Sequence, residues 1–363
     1  MSNFDSNLDV QKDMVRASGN GFQLQDQTPL VNMGNLSSPQ LLTVLMGGAQ
    51  TSTNHLRSNV FQYDEKDYNP QVFSGKSFTE KGADLSKDKA RTRFFEVGSK
   101  GIRFNASVED YDGKRKAGTD EFMTEADVLQ DQINKANQAA ALDMELDFAS
   151  ILTTGTNRVA GGPFTSYDFH DDILGSSRPT ALRVDYASTT VNPAEAIRAQ
   201  AQDMQNKLLS YGLNANGFVL ICGDHYFSAA YEYEQMTTIA RELRTTVDLV
   251  SQAVPTIDHK GYRYSNFESP TSGVTYINYS ANIVAGTKLI ADNDAYLIPI
   301  MSGAPLVEKV YAPAKVRGHV NKPAQEMYSW FAVDDFEGVS AWYERNMLTV
   351  LTRPDLIRKL DIA

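Results

Sequence analysis

The residues best suited to covalent chemistry lie at positions 222–225, with the sequence CGDH. There a thiol, a carboxylate and an imidazole follow a predicted apolar strand, at the kind of strand-to-helix turn where nucleophiles can sit. Residues so close in sequence rarely converge in hydrogen-bonding geometry, however, and Asp224 is a natural N-cap for the helix that follows. A cysteine that ends an apolar strand is usually a small core residue. A cysteine-dependent hydrolase is therefore the enzyme hypothesis, whereas we expect Cys222 to be structural.

Two further stretches have residue types that could bind a ligand. Residues 70–77 (PQVFSGKS) nearly fit a phosphate-binding loop, but Pro70 stands at the first glycine position and no apolar strand leads into them. Asp168, His170, Asp171 and Asp172 could ligate a metal, yet a segment with one histidine is more typical of a solvated acidic turn. The five histidines are scattered and form no triad or zinc motif. We expect no cofactor, no metal site and no enzyme activity.

Composition excludes several classes of protein. With 363 residues, of which 42% are apolar, the chain can fill a real core and is long enough for two domains. A net charge of −11 disfavours binding along nucleic acid, which needs a surplus of Lys and Arg. The single cysteine allows no internal disulfide and fits a reducing compartment. Without an amino-terminal apolar segment or a run of 18 apolar residues, neither secretion nor membrane insertion is expected.

The longest predicted element is a helix over residues 124–153, which divides a polar, loop-rich segment from a compact core. Thr124 and Asp127 have the T-x-x-D form that caps a first helical turn, and Gly155 follows as a stop. Apolar residues recur at steps of three and four, and acidic residues project roughly opposite them. The stripe consists of Leu129, Ile133, Ala136, Ala140, Met144, Phe148 and Ile151, and the acidic residues are Asp127, Asp131 and Glu145.

The segment before this helix reads as an arm followed by a hairpin. Residues 1–58 are mostly polar, with a short helix predicted over Gln40 to Met46. Residues 59–109 predict one long excursion, in which Val60 to Tyr63 leaves and residues 102–108 return with period-two alternation. Between these legs the chain is too charged to form a core of its own.

A row of cations lies within this excursion, at Lys87, Lys89, Arg91 and Arg93. On an extended strand all four side chains point the same way, whereas on a helix they would spread around the axis. A solvated charged face is the alternative interpretation of such a row.

The remainder predicts an α/β unit followed by strands. Residues 110–186 hold the long helix and a connector, and residues 187–305 hold the α/β unit. In that unit a helix runs from Asn192 to about Tyr211, a buried strand covers Phe218 to Cys222, and further strands are expected over Val254 to Phe267 and Val274 to Tyr279. Residues 306–363 are strand-rich and end in a proline turn at Pro354.

This order of elements resembles that of tailed-phage major capsid proteins, which have the Hong Kong 97 phage shell fold. The ending NMLTVLTRPDLIRKL (346–360) is similar to the last strand and turn of their P-domain. The segment GFVLICGDHYF (217–227), after an amphipathic helix, is similar to an A-domain helix followed by an I-V-L-N-P-x-x-W strand. Tyr226 stands where the aromatic would be, and Gly-Asp replaces the usual Asn-Pro. Without a long amino-terminal scaffolding extension, the chain is more similar to the lambda-type members, which use separate scaffolding and decoration proteins.

The resemblance implies an α+β fold and a division into named parts. These are an N-arm (1–58), an E-loop hairpin (59–109), a P-domain (110–186) with spine helix 124–153, an A-domain (187–305) and P-domain return strands (306–363). It implies a shell protein of the virion, assembled in the host cytoplasm as hexamers and pentamers that enclose double-stranded DNA. Its partners would be other copies, a scaffolding protein, a portal and a decoration or cement protein. A cellular nanocompartment shell of the same fold is the alternative.

In such a shell the two charged rows predict a contact between subunits. Lys87, Lys89, Arg91 and Arg93 would hold the hairpin on the acidic side of a neighbouring helix, formed by Asp127, Asp131 and Glu145. Each row is self-repelling alone, so bringing the rows together would relieve both.

Overall fold

The computed structural model describes most of the chain. The described residues are 25–26, 42, 51–66, 90–116, 120–158, 165–187, 192–242, 256–259, 262–269, 272–279, 282–284, 287–301, 305–316, 318–319, 321–334 and 338–362.

Two of the three long helices that the structure describes begin and end where the local sequence predicts. Helix α1 (Glu125–Thr154) starts at a capping box in which Thr124 and Asp127 satisfy each other's backbone N–H groups. It stops at Gly155, whose φ of 76° is a left-handed conformation that glycine adopts at low cost. Helix α2 (Pro193–Ser210) is capped by the Asn192 side chain, and α3 (Asp224–Glu242) follows the strand that ends at Cys222. The predicted stripe of α1 is buried along its whole length.

The strands of the described residues are short and numerous. They are β1 (Gln25–Asp26), β2 (Thr51–His55), β3 (Val60–Lys66), β4 (Ala90–Glu96), β5 (Lys100–Ala106), β6 (Leu182–Val184), β7 (Ala215–Cys222), β8 (Thr256–His259), β9 (Tyr262–Glu268), β10 (Thr275–Asn278), β11 (Asn282–Val284), β12 (Thr287–Lys288), β13 (Asp294–Met301), β14 (Val307–Tyr311), β15 (Tyr328–Asp334), β16 (Gly338–Arg345), β17 (Met347–Leu351) and β18 (Arg358–Ile362).

These strands form three sheets and two isolated pairs. A four-stranded sheet has the order β1-β15-β16-β5, a seven-stranded sheet the order β6-β18-β13-β7-β10-β9-β8, and a three-stranded sheet the order β17-β14-β2. The pairs are β3-β4 and β11-β12. The four-stranded sheet packs on the first half of α1, where Ile133 and Ala136 meet Phe331 and Tyr343. The second half of α1 enters the main core with β14 and β17.

The predicted α/β unit is present. Strand β7 lies at the centre of the seven-stranded sheet, parallel to β10 and antiparallel to β13. Its residues 219–222 are buried, as expected for a continuous apolar run. The buried face of α2, with Ile197, Ala201 and Met204, packs in one cluster with Leu220 and residues of α3.

One strand pairing differs from the sequence prediction, and a second pairing was not predicted. The expectation that residues 102–108 return against Val60 to Tyr63 is wrong, because β3 pairs with β4 in register from Val60↔Glu96 to Lys66↔Ala90. Strand β5 instead joins β16. At the carboxy end, β18 pairs with β13 of the α/β unit and not with the other return strands, and Leu360 is fully buried there. Period-two alternation indicates a strand but does not identify its neighbour.

Candidate intersubunit interface

The β3-β4 hairpin has one face on the subunit and one face in solvent. Successive side chains of a strand point to opposite sides, so Phe61 and Phe95, which are paired in register, share one face, and Gln62 and Phe94 share the other. Phe61 and Phe95 are buried in the main core. We call the side with Phe94 the outer face of the hairpin.

The inner face anchors the hairpin at its base. The Phe95 ring lies edge-on to Tyr167 and Phe169, with centroid distances of 5.1 and 6.0 Å. The Glu96 N–H donates to the Tyr167 hydroxyl at 2.8 Å, and the Tyr63 hydroxyl donates to the Thr352 carbonyl at 3.1 Å. The base of the hairpin is therefore fixed to its own subunit.

The outer face carries exposed apolar side chains beside polar ones. Phe94 is 65% exposed and Val60 is 45% exposed. Next to them, the Thr92 hydroxyl donates to Asp64 Oδ1 at 2.7 Å across the hairpin. Among the described residues this strand pair joins no larger sheet, so its exposed aromatic ring is a feature that a second molecule could cover. Sequence reasoning missed Phe94, although two adjacent aromatics on a strand must point to opposite faces, so one of them leaves the core.

The predicted row of cations is divided by the structure. Lys87 and Lys89 lie outside the described residues, as do residues 70–77. Arg91 and Arg93 lie in β4, where Arg91 is exposed and Arg93 is half-buried on the same face as Phe95. Burial raises the pKa of Asp172, and the Arg93 guanidinium opposes that rise. Arg93 is less exposed than Arg91, and its contact with a neighbouring subunit stays a prediction.

The predicted acidic side of α1 is also only partly in solvent. Asp131 is exposed, and Asp127 accepts from the Thr124 N–H at 2.8 Å and pairs with Lys116 at 3.1 Å. Glu145 is fully buried. Its Oε1 accepts from the Leu42 backbone N–H at 3.0 Å and from the Tyr279 hydroxyl at 2.7 Å. The expectation that Glu145 lies on an exposed acidic face is therefore wrong, because it joins three distant segments inside the subunit.

The residues considered for nucleophilic chemistry are not assembled into a site. Cys222 is fully buried, its Sγ lies 3.5 Å from the Leu220 carbonyl, and burial raises the pKa of the thiol well above its usual value. His225 is exposed, with Nδ1 2.9 Å from the Asn293 side chain. Asp224 accepts from the Asn278 side chain at 3.0 Å. In the described part of the chain no imidazole or carboxylate is bound to this buried, protonated thiol, which makes it a poor nucleophile.

The acidic turn at residues 168–172 has a packing role in the structure. His170 is buried, and its ring lies so close to Gly155 that a Cβ added there would be 2.7 Å from the ring. Asp168 accepts from the His170 N–H at 3.0 Å. In the described part of the chain, no group of three or more potential metal ligands is brought together. Among the helices that the structure describes, none has the length and apolarity needed to span a bilayer.

Comparison with known proteins points to one class. No known family model matches the chain. Over 262 residues the chain is 24% identical to the major capsid protein of Pseudomonas phage KPP10. The aligned region covers 69% of this chain and 72% of that protein. The putative capsid protein of a prophage of E. coli CFT073 has a similar structure, with a TM-score of 0.54 at 13% identity over 94% of this chain and 100% of that one. The capsid of cyanophage P-SCSP1u matches with a TM-score of 0.48 at 12% identity, over 86% of each chain.

The chain therefore has the Hong Kong 97-type fold of phage capsid proteins, with the α+β content that the sequence predicts. Within that class it is a homologue of a tailed-phage major capsid protein, and the resemblance drawn from its sequence is confirmed.

Proposed function

We propose that this chain is the major capsid protein of a tailed phage, and that copies of it assemble as hexamers and pentamers into the icosahedral head around the double-stranded DNA genome. The similarity to a phage major capsid protein over 69% of the chain carries this proposal. The chain is then a component of the virion, assembled in the host cytoplasm.

The geometry of the hairpin supports a role that depends on other copies. Its base is anchored in the subunit by Phe61 and Phe95, while Phe94 and Val60 stay exposed on the outer face. Identical chains can cover such a surface repeatedly in closed rings, so that each subunit donates one hairpin and receives another. A net charge of −11 also suits a shell that encloses DNA without adhering to it.

The division into N-arm, E-loop, P-domain and A-domain remains part of this proposal, with β5 as a strand of the P-domain sheet. Assembly would use a scaffolding protein and a portal, with a decoration or cement protein as a further partner. The role is structural and not enzymatic. A cellular nanocompartment shell is the alternative, and the two functions differ in what the shell encloses. The burial of Cys222 counts against the hydrolase hypothesis.

Within the shell, the charged rows define a narrower contact than the sequence alone predicts. Lys87, Lys89 and Arg91 would approach the exposed Asp131 of a neighbouring α1. Arg93 is half-buried, Glu145 is fully buried with partners in its own chain, and Asp127 is engaged by the helix cap and Lys116. Each exposed pair contributes about 0.2 to 1 kcal/mol. Because the contact repeats in every subunit of a shell, even this small free energy is sufficient to influence assembly.

Negative-stain electron microscopy tests the main proposal. The full chain, produced together with the proposed scaffolding protein, should yield closed particles of uniform diameter. The same sample is also analysed by size-exclusion chromatography. Elution only as monomers or small oligomers, at every salt and protein concentration tried, would contradict the proposal. Shells that enclose a protein cargo and never DNA in infected cells would favour the nanocompartment instead.

A further inference from the structure

Five charged side chains form a cluster where the hairpin joins the rest of the subunit. We call it the joint cluster, and it consists of Lys100, Asp143, Asp147, Arg158 and Arg345. Lys100 Nζ lies 3.0 Å from Asp143 Oδ2 and 2.8 Å from both oxygens of Asp147. Arg158 contacts both carboxylates, and its Nε lies 3.1 Å from Asp147 Oδ1. Arg345 is held by the Ala140 carbonyl at 2.7 Å and lies 3.9 Å from Asp143.

The cluster is largely removed from solvent, so its ion pairs are screened little by salt. Arg345 and Asp147 are buried, and the Lys100 side chain is 17% exposed. Burial lowers the pKa of Lys100 and raises that of Asp147, and each of these two groups opposes the shift of the other. Lys100 and Arg345 are also direct register partners in β5 and β16, so two cations face each other across the sheet. The two carboxylates of α1 lie between these cations and offset their repulsion.

The position of Lys100 along the chain gives the cluster its significance. The residue is the first of β5, and residues 97–99 separate it from the end of β4 at Glu96. The hairpin belongs to no larger sheet in the described part of the chain. The hairpin is held at its base, where Phe61 and Phe95 are buried and the Val97 N–H donates to the Asn59 carbonyl at 2.8 Å, so a change of angle at residues 97–99 would tilt the strands beyond this base.

Arg158 links the cluster to the second attachment of the hairpin. Asn157, its neighbour in sequence, exchanges hydrogen bonds with Tyr167, and Tyr167 in turn accepts from the Glu96 N–H and packs on Phe95. The connector after α1 therefore holds the helix at one end, through Arg158, and the hairpin at the other, through Tyr167.

We propose that the joint cluster fixes the angle at which the hairpin leaves the subunit, and thereby determines how the outer face meets a neighbouring copy. Lys100 is the positioning residue, because it links the start of β5 to two successive turns of α1. The seven residues of β4 make a lever of about 23 Å at about 3.3 Å per residue, so a rotation of about 10° moves its far end by about 4 Å. A displacement of that size would separate two side chains that should touch. The effect on assembly rests on the proposed function, whereas the effect on the hairpin does not.

The distance between the hairpin and α1 is the quantity to measure. Spin labels on Thr92→Cys and Lys135→Cys, both at exposed positions, report it by pulsed electron resonance on the unassembled full chain, and the buried Cys222 should stay unlabelled. The distribution should be narrow in the parent protein and in Lys100→Arg. In Lys100→Met it should be at least twofold broader or shifted by several ångströms. That variant should still fold, because Asp143 and Asp147 keep Arg158 and Arg345 as counter-charges.

Lys114→Met is the matched control, since it removes an exposed lysine whose ion pair with Asp110 is 4.0 Å long. It should leave both the distance distribution and the shells unchanged. If Lys100→Met lowers the melting temperature but keeps the parent distribution, the cluster is only a stabilising contact and the inference is overturned. Lys100→Gln, with its smaller change in polarity, gives the same test should Lys100→Met not fold.

Assembly provides the second arm of the experiment. Lys100→Met should yield at least tenfold fewer closed particles, or particles of irregular diameter, and Lys100→Arg should restore regular shells. A broadened distribution together with normal shells would overturn the role in assembly. A parent protein that shows a narrow distance distribution but never forms shells would refute the proposed function. The role of the joint cluster in fixing the hairpin angle would be unaffected by that result.

Discussion

At the scale of single residues, the lone thiol gives the simplest prediction. Cys222→Ala should cost about 1 to 2 kcal/mol of unfolding free energy, because it removes a small, fully buried group from the core around β7. Urea denaturation of the unassembled protein measures this. The native thiol should react with a thiol reagent at least a hundredfold more slowly than the same thiol in urea, since burial keeps it protonated and inaccessible. Rapid labelling of the native protein would contradict a structural role.

Cys222 and Glu145 show what sequence can and cannot say about one residue. The burial of Cys222 could be predicted, because the run that it ends is apolar on both faces. The burial of Glu145 could not be predicted, since a carboxylate on a helix is normally solvated and two of its partners lie 103 and 134 positions away. One of these partners is a backbone N–H, which any residue at position 42 could supply. No pattern of residue types therefore marks Glu145 as buried.

At the scale of elements, the hairpin predicts opposite effects for two neighbouring phenylalanines. Phe94→Ala should change the unfolding free energy by no more than about 0.5 kcal/mol, because the ring is in solvent, yet it should strongly reduce the yield of shells. Phe95→Ala is the matched control and should cost about 3 to 5 kcal/mol by opening a cavity against Tyr167 and Phe169. Denaturation and sedimentation separate the two effects. Normal shells from Phe94→Ala would mean that the outer face stays in solvent.

The elements themselves could be predicted where their sequence signals are local. A capping box marks the start of helix α1 in the sequence and Gly155 marks its end. The start of α2 is marked by Asn192 and Pro193. Strand partners are not local. Residues 100–106 alternate as a strand should, but their pairing with β16 depends on a segment more than 230 positions away. The closing strand β18 crosses to the seven-stranded sheet for the same reason.

The candidate site depends even more on such long-range contacts. Adjacent aromatics at positions 94 and 95 are visible in the sequence, but which of them is buried follows from the position of Tyr167. The joint cluster draws its members from β5, α1, the connector and β16, so its charges look like ordinary surface residues in each segment alone. The class of protein could be identified because the order of elements can be read from the sequence. The contacts between elements cannot be read in this way, because they form only in the folded chain.

At the scale of the whole molecule, charge should govern how subunits meet. The chain carries a net charge of −11, so identical subunits repel one another and need local cationic surfaces to approach. The cations of the hairpin are suited to this, since Arg91 is exposed and Lys87 and Lys89 alternate with it in the sequence. The exposed Asp131 on α1 is the acidic surface expected to receive them.

A charge exchange tests this contact. Lys89→Glu with Arg91→Glu should block assembly at moderate salt while circular dichroism shows a folded subunit, because two attractions become repulsions. Adding Asp131→Lys should partly restore the shells, whereas adding Asp203→Lys, on α2 and paired with Lys207 and Arg358 of the same chain, should not. Parent assembly should itself weaken toward 1 M salt, where the Debye length falls to about 3 Å. Regular shells from the double variant would show that these cations are only a solvated face.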